Sequence, residues 1–137
     1  MILITEYFKS NNKERDNEII SSIKRNIKSN LFSEIVLLNE KDNLDIEGAT
    51  TVITNKRLSY KYAFEYANEI IVFANNDMTY DSSLLKVQNH DMNNTCLVLL
   101  RWEIIDQNNS SRSEIFKKGW RKFNDSWDTW ILKTPIK

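Results

Sequence analysis

Three polar residues that could do chemistry follow the most apolar short segment of the sequence. The segment is Ile70–Ala74, and Asn75, Asn76 and Asp77 come directly after it. If the segment is a buried strand of an α/β sheet, its carboxyl end delivers this run to the edge at which such sheets bind ligands. Asp77 could then hold Mg²⁺ or Mn²⁺ against the two phosphates of a nucleotide diphosphate, because hard cations prefer oxygen ligands. An ordinary turn is the other interpretation, since Asn and Asp side chains readily bond their own backbone.

Two further places supply candidate nucleotide contacts beside Asn75 and Asn76. Thr5 and Tyr7 lie at the end of the first predicted strand and therefore fall on the same edge. A threonine could hydrogen-bond to a base and a tyrosine could stack on it, although core packing also explains Tyr7. Arg57 precedes a predicted helix, where arginine can grip phosphate bidentately, although a surface arginine is the simpler alternative.

The C-terminal part is aromatic and carries one conspicuous carboxylate. Asp128 stands between Trp127 and Trp130. Aromatic faces line sugar sites and also fill cores, so the tryptophans fit either use. A carboxylate in so apolar a stretch needs a partner or a functional role.

The elements that would position these residues alternate along the chain. Apolar and β-branched runs predict strands at 1–8, 34–38, 50–53, 70–74, 95–103 and 127–133. Helical spacing and capping residues predict helices from a cap at Asn11 to about Asn30, from Ser59 to about residue 69, from Asp81 to about residue 87, and at 115–122. Residues 106–113 are polar and predict a mobile loop. Strands that are apolar on both faces predict an α/β fold with a mostly parallel sheet flanked by helices, in one domain spanning 1–137.

Composition excludes several classes of function. Nineteen basic residues balance nineteen acidic ones, so no broad electrostatic attraction to nucleic acid is expected. No apolar stretch approaches the roughly 20 residues of a membrane span, and no signal peptide is visible, so we expect a cytoplasmic, intracellular protein. Two glycines cannot build a glycine-rich phosphate loop, and one cysteine with one histidine makes a structural zinc site improbable.

Four segments, in order along the chain, resemble one family of GT-A-fold glycosyltransferase domains, found in large DNA viruses (the chlorovirus type) and in bacteria. The run IVFANNDMTYD at 71–81 resembles the family's (I/V)-x-x-A-N-x-D-I-x-F-D segment. LLRWE at 99–103 resembles L-T-R-(W/Y), and SWDTWILK at 126–133 resembles S-Q-D-(T/A)-W-(I/V)-F-K. RLSY at 57–60, with Phe64 and YAN at 66–68, matches R-x-(T/S)-(Y/F)…F…A-N.

The resemblance implies a Rossmann-like GT-A domain that binds a nucleotide sugar, most simply a UDP-sugar, together with Mn²⁺ or Mg²⁺. The acceptor would be a glycan or another hydroxyl compound, and a viral chain would act in the host cytoplasm. A homodimer is a separate hypothesis for this chain. Asp77 would replace the metal-binding acid of the DxD motif. The remaining roles would be nucleotide binding by Thr5, Tyr7, Arg57, Asn75 and Asn76, sugar binding by Arg101, Trp102 and Trp127, and catalysis by Asp128 as base or orienting acid.

Two departures from the family leave alternatives open. Asn75 stands where the first acid of DxD would be, and the family's later G-x-x-G-C-D-N segment does not follow. The chain could therefore be truncated at its C-terminus, need a partner, or be a non-catalytic nucleotide-sugar-binding module or inactive remnant. A signalling receiver-like domain with Asp77 as phosphoacceptor is a third hypothesis. It lacks the usual acidic pair, of which only Glu6 is present, and has Arg101 in place of a lysine.

Overall fold

The computed structural model describes residues 1–100, 102–106, 109–112 and 127–135. These residues form a six-stranded sheet, a two-stranded hairpin, two α-helices and one 3₁₀ helix. The strands are β1 (Ile2–Thr5), β2 (Glu34–Asn39), β3 (Thr50–Ile53), β4 (Ile70–Ala74), β5 (Cys96–Leu100), β6 (Trp102–Asp106), β7 (Asn109–Arg112) and β8 (Trp127–Lys133). The helices are α1 (Lys13–Ser29), α2 (Tyr60–Glu65) and the 3₁₀ helix (Ser82–Asn89).

The large sheet has the order β3-β2-β1-β4-β8-β5. β1 pairs in parallel with β2 and β4, and β2 pairs in parallel with β3. β8 runs antiparallel to both of its neighbours, β4 and β5. The predicted α/β fold with a mostly parallel sheet and flanking helices is therefore confirmed. The sheet is compatible with a Rossmann-like fold, and its strand order reverses between β1 and β4, which is where open α/β sheets bind ligands.

Helix α1 forms where a capping residue precedes a stripe of isoleucines. The side chain of Asn12 accepts hydrogen bonds from the backbone N–H groups of Glu14 and Arg15, at 2.9 and 3.4 Å. The cap is thus one residue later than the predicted Asn11. The helix ends at Ser29, because the left-handed backbone of its C-cap residue, Asn30 (φ 54°), stops the helical ladder.

Both faces of the sheet are covered, because the central strands carry apolar side chains on alternate sides. One face packs against α1 and the 3₁₀ helix, and the other packs against α2. The first layer is built from Leu3, Ile35, Leu37, Val72 and Ile131 with Ile19, Ile23, Leu84 and Val87. The second is built from Ile2, Ile4, Val36, Leu38 and Ile71 with Ala63.

Two predictions for the chain from residue 95 onward differ from the structure in bounds or in type. The strand predicted at 95–103 ends at Leu100, and the predicted mobile loop at 106–113 contains β7, which pairs with β6 as a hairpin. The reason is that Asn and Ser have weak strand preference, so cross-strand pairing decides their conformation rather than composition. The helix predicted at 115–122 lies outside the described residues.

The shorter helices differ from prediction in length and type while keeping their predicted caps. Ser59 caps α2, which ends at Glu65 rather than near residue 69. Asp81 accepts from the N–H of Ser83 and caps a helix of 3₁₀ geometry. No helix in the described part of the chain is long and apolar enough to cross a membrane.

Candidate functional site

Three strand ends meet at one edge of the sheet. β1 and β4 end there because they are parallel, and β8 begins there because it is antiparallel to β4. The pairing of Ala74 with Thr129 places Asp128 beside the residue that follows β4. Because β8 runs antiparallel to β4, the start of β8, which contains Asp128, lies next to the Asn75–Asp77 loop.

Asn75 and Asp128 are joined by two hydrogen bonds. The Asn75 side chain donates from Nδ2 to Oδ1 of Asp128 at 2.8 Å, and the backbone N–H of Asn75 donates to the Asp128 carbonyl at 3.0 Å. Asp128 is only 4% exposed. A carboxylate so deeply buried requires hydrogen-bond donors, and Asn75 supplies one of them. Asn75 thus fixes the loop and orients Asp128.

Asp77 is paired with a residue of α1 that the sequence reading did not single out. Arg15 donates from Nη2 to Oδ2 of Asp77 at 3.0 Å and from Nη1 to Oε2 of Glu18 at 2.7 Å. The hydrogen bond to Glu18 raises the pKa of Arg15, and the hydrogen bond to Asp77 raises it by a smaller amount. The spacing of Arg15 and Glu18 on a helix could have indicated their pairing. No sequence signal links Arg15 to Asp77, because they meet only through the packing of α1 on the sheet.

The loop after β4 is also tied to α1 through its backbone. Ser22 donates from Oγ to the Asp77 carbonyl at 3.3 Å, and Asn26 donates from Nδ2 to the Met78 carbonyl at 2.8 Å. The N–H of Tyr80 donates to Oδ1 of Asn26 at 3.2 Å. A buried amide on the inner face of α1 therefore satisfies two backbone groups of the loop at once.

The loop also contains a turn, which is the alternative interpretation of these residues. The N–H of Met78 donates to the Asn75 carbonyl at 3.3 Å. Asn76 is buried, whereas Asp77 keeps 25% of its side chain exposed. A turn and an accessible carboxylate are thus present together, and neither excludes the other.

The predicted nucleotide contacts at the end of β1 lie in different surroundings. Thr5 is 3% exposed, and its hydroxyl has no hydrogen-bond partner among the described residues. Because Leu3 packs on the α1 side of the sheet, Thr5, two residues later, faces the same side. Tyr7 belongs to the core, with its hydroxyl donating to Asp16 at 3.0 Å and its N–H donating to Oδ1 of Asn39 at 2.7 Å. Core packing, rather than an open face for a base, is the arrangement observed for Tyr7.

Arg57 is exposed, and its charge acts on Glu6, the residue that follows β1. Burial raises the pKa of the Glu6 carboxyl, and the positive charge of Arg57 together with a hydrogen bond from the Leu58 backbone opposes that rise. Arg57 therefore adds positive charge close to the edge at which β1 ends.

The predicted sugar contacts are only partly described. Trp127 begins β8 and pairs with Leu100, which places its backbone at the candidate edge. Trp102 begins β6 of the hairpin and pairs with Arg112. Arg101 lies outside the described residues.

Tyr80 makes a part-buried polar contact with β8. Its hydroxyl lies 2.7 Å from Oγ1 of Thr129. Burial raises the pKa of Tyr80, the Thr129 hydrogen bond lowers it, and the negative charges of Asp128 and Asp77 raise it further, with a net rise. The phenol is therefore held in its neutral, protonated form.

We expect Tyr80 to make stability fall at alkaline pH. A raised folded-state pKa contributes stability that is complete below the unfolded value of about 10.0 and is lost as the pH rises above it. Denaturant unfolding of wild type and Tyr80→Phe from pH 8 upward measures this. The wild type should lose up to about 1.4 kcal/mol per pH unit more than the variant above pH 10. Parallel pH profiles for the two proteins would contradict the assignment.

A divalent cation at Asp77 would need ligands beyond the protein groups at this edge. Within the described residues no group of three His, Cys, Asp or Glu side chains is placed to hold a metal ion. Mg²⁺ and related cations are often held by one or two carboxylates plus the phosphates of a substrate, with water completing the shell. The accessible Asp77 carboxylate fits that arrangement, in which the nucleotide brings further oxygen ligands.

Comparison with known proteins adds no family: the chain matches no protein-family model, no curated protein and no solved structure. What the fold and the site define is an α/β protein with a mostly parallel, Rossmann-compatible sheet. Its polar loop after β4 lies at the point where the strand order reverses.

Proposed function

We propose that this chain is a GT-A-like glycosyltransferase domain that moves a sugar from a nucleotide-diphosphate donor, most simply a UDP-sugar, to a hydroxyl acceptor. The observation that supports this proposal is the meeting of Asp77, Asn75 and Asp128 at the edge where β1 and β4 end. Open α/β sheets bind nucleotides at that position. The four sequence segments that resemble the glycosyltransferase family include the residues of this edge.

Several groups at the edge have a part in the proposed site. Asp77 would hold Mn²⁺ or Mg²⁺, which supplies positive charge for the diphosphate as the sugar departs. Arg57 adds positive charge for a phosphate. The Thr5 hydroxyl is covered on the α1 side of the sheet, so it offers a nucleotide no accessible surface. Asp128, oriented by Asn75, would act as base or orienting acid, and Arg101, Trp102 and Trp127 would contact the sugar.

A non-catalytic nucleotide-sugar-binding module is the second candidate, and one observation favours it. Asp128 is 4% exposed and accepts a hydrogen bond from Asn75, an arrangement that serves to hold the loop in place. A carboxylate used in that way stabilises the fold without needing to reach a reacting atom. Under this reading, the edge binds the donor but transfers nothing.

A thermal-shift panel of UDP, GDP, dTDP and CDP, each with and without Mn²⁺, tests the shared part of both proposals. A ligand at a hundred times its dissociation constant adds about 2.7 kcal/mol of stability. For a domain of this size the unfolding midpoint should rise by roughly 5–15 °C. We expect that rise for one nucleotide, UDP, and only with Mn²⁺ present. No shift for any nucleotide at millimolar concentration would reject a donor site.

Release of UDP from a UDP-sugar then separates the enzyme from the binding module. Slow, Mn²⁺-dependent release of UDP, faster with an acceptor, supports the glycosyltransferase. Tight binding of the intact donor without any release supports the module.

A further inference from the structure

The guanidinium of Arg15 occupies a position between two carboxylates at the candidate edge. Nη1 binds Glu18 at 2.7 Å, and Nη2 binds the accessible Asp77 at 3.0 Å. The Arg15 side chain is itself only 36% exposed, so part of it is held against the protein. Asp77, the residue proposed to receive a divalent cation, therefore already has a cationic partner.

The fold holds the two partners of this ion pair together. Arg15 lies in the first turn of α1, and the Asp77 carbonyl accepts a hydrogen bond from Ser22, farther along the same helix. Asn26 bonds two backbone groups that follow Asp77 in the chain, the carbonyl of Met78 and the N–H of Tyr80. Because helix and loop are connected at three points, the two side chains face each other in a fixed arrangement.

We propose that Arg15 is the resident counter-ion of Asp77 and competes with the divalent cation for its carboxylate, so that Arg15 sets the cation affinity of the site. The inference rests on the proposed function, because that function assigns the cation to Asp77. It adds a residue, Arg15, that weakens binding of the cation when no nucleotide is present.

Charge and geometry explain why the two cations exclude each other. Arg15 uses one oxygen of Asp77, and a divalent ion on the other oxygen would lie a few ångströms from the guanidinium, where like charges repel. Arg15 keeps its second partner, Glu18, on the same helix, so it can release Asp77 without losing both ion pairs. A nucleotide diphosphate brings negative charge that offsets this repulsion. Cation and nucleotide should therefore each raise the affinity for the other.

The test measures Mn²⁺ binding without nucleotide, over a range of Mn²⁺ concentrations wide enough for weak binding by Asp77 and water, from the loss of the electron paramagnetic resonance signal of free Mn²⁺. We compare wild type with Arg15→Gln and with Arg25→Gln, which removes the same charge from an exposed position on the same helix. Arg15→Gln should bind Mn²⁺ about tenfold more tightly than wild type, a change within the usual range of coupling between ligands. Arg25→Gln should bind as wild type does.

A double variant, Arg15→Gln with Asp77→Asn, locates the cation. It should lose the gain in affinity, because the carboxylate that Arg15 released is no longer present. Equal Mn²⁺ affinity in Arg15→Gln and Arg25→Gln would overturn the inference, and so would a gain that survives in the double variant. Circular dichroism of every variant confirms that the fold is kept.

The two experiments distinguish failure of the Arg15 inference from failure of the proposed function. A tenfold gain in Mn²⁺ affinity with a flat nucleotide panel would retain Arg15 as the competitor and reject the nucleotide site. A Mn²⁺-dependent UDP shift without any effect of Arg15→Gln would retain the function and reject the competition.

Discussion

Asp77→Asn lowers the affinity for UDP in the presence of Mn²⁺ by at least about a hundredfold and leaves affinity without Mn²⁺ almost unchanged. Loss of a hydrogen-bond partner of a metal ligand already lowers metal affinity roughly 10–100-fold. Loss of the ligand itself should lower metal affinity by at least the upper end of that range. Asn keeps the shape of the side chain, and only a part-exposed ion pair to Arg15 is lost. Such pairs contribute about 0.2–1 kcal/mol, so the fold should remain intact. Isothermal titration calorimetry with and without Mn²⁺ measures both quantities.

Glu47→Gln is the matched control for this prediction. It also removes one negative charge, from an exposed position next to Gly48. Gly48 lies against Ile27 in the C-terminal half of α1, away from the end that carries Arg15. The control should bind UDP and Mn²⁺ as wild type does. Equal Mn²⁺-dependent affinity in Asp77→Asn and Glu47→Gln would remove Asp77 from the site.

Asn26→Ala lowers the free energy of unfolding by about 3 kcal/mol, because it leaves two backbone groups of the loop without their partner. The Asn26 amide is buried and bonds the carbonyl of Met78 and the N–H of Tyr80. Urea unfolding measures the loss. Hydrogen exchange of the Tyr80 amide should accelerate beyond the change expected from global stability, because this N–H loses its own acceptor.

Asn17→Ala controls for the effect of alanine on helix α1. Asn17 is exposed on the same helix, so its replacement should change stability by no more than about 0.5 kcal/mol. If Asn26→Ala is as mild as Asn17→Ala, the amide does not hold the loop, and the rigidity ascribed to the Arg15–Asp77 pair loses its basis.

The parts of the fold that were predictable are those with strong local signals. The bounds of β3, β4 and β8 follow from short runs rich in β-branched, aromatic or other apolar residues, and they match the structure. Ser59 and Asp81 were recognisable as caps because their side chains accept bonds from the N–H groups that follow. Local signals of this kind depend only on neighbours in sequence.

The insertion of β8 between β4 and β5 had no such signal. An apolar run does not reveal which strand it pairs with or in which direction, because both depend on contacts far apart in sequence. The β6–β7 hairpin was missed for a related reason, since its second strand, Asn109–Arg112, is polar throughout. Pairing with a neighbouring strand, rather than residue preference, determines its conformation.

The sequence predicted the loop residues of the candidate site but not the residues that contact them. Asp77 and Asn75 were identified because they follow a buried strand, and the structure places them at the expected edge. Arg15 could not be found, because an arginine in a charged first turn looks like any solvated helix residue. The burial of Asp128 beside Asn75 likewise depends on the direction of β8, which the sequence did not disclose.

The position of β8 also has a consequence for the order of folding. In the described sheet β5 has β8 as its neighbour and lies at the end of the strand order, so β5 joins the parallel strands only through β8. β8 follows β5 along the chain, and its partner in β4 is far away in sequence, since Ala74 pairs with Thr129. Closing so long a loop carries an entropy cost before any contact is gained, which slows folding. We therefore expect β1 to β4 with α1 to assemble first, and the edge with Asp128 to be completed in the last kinetic step.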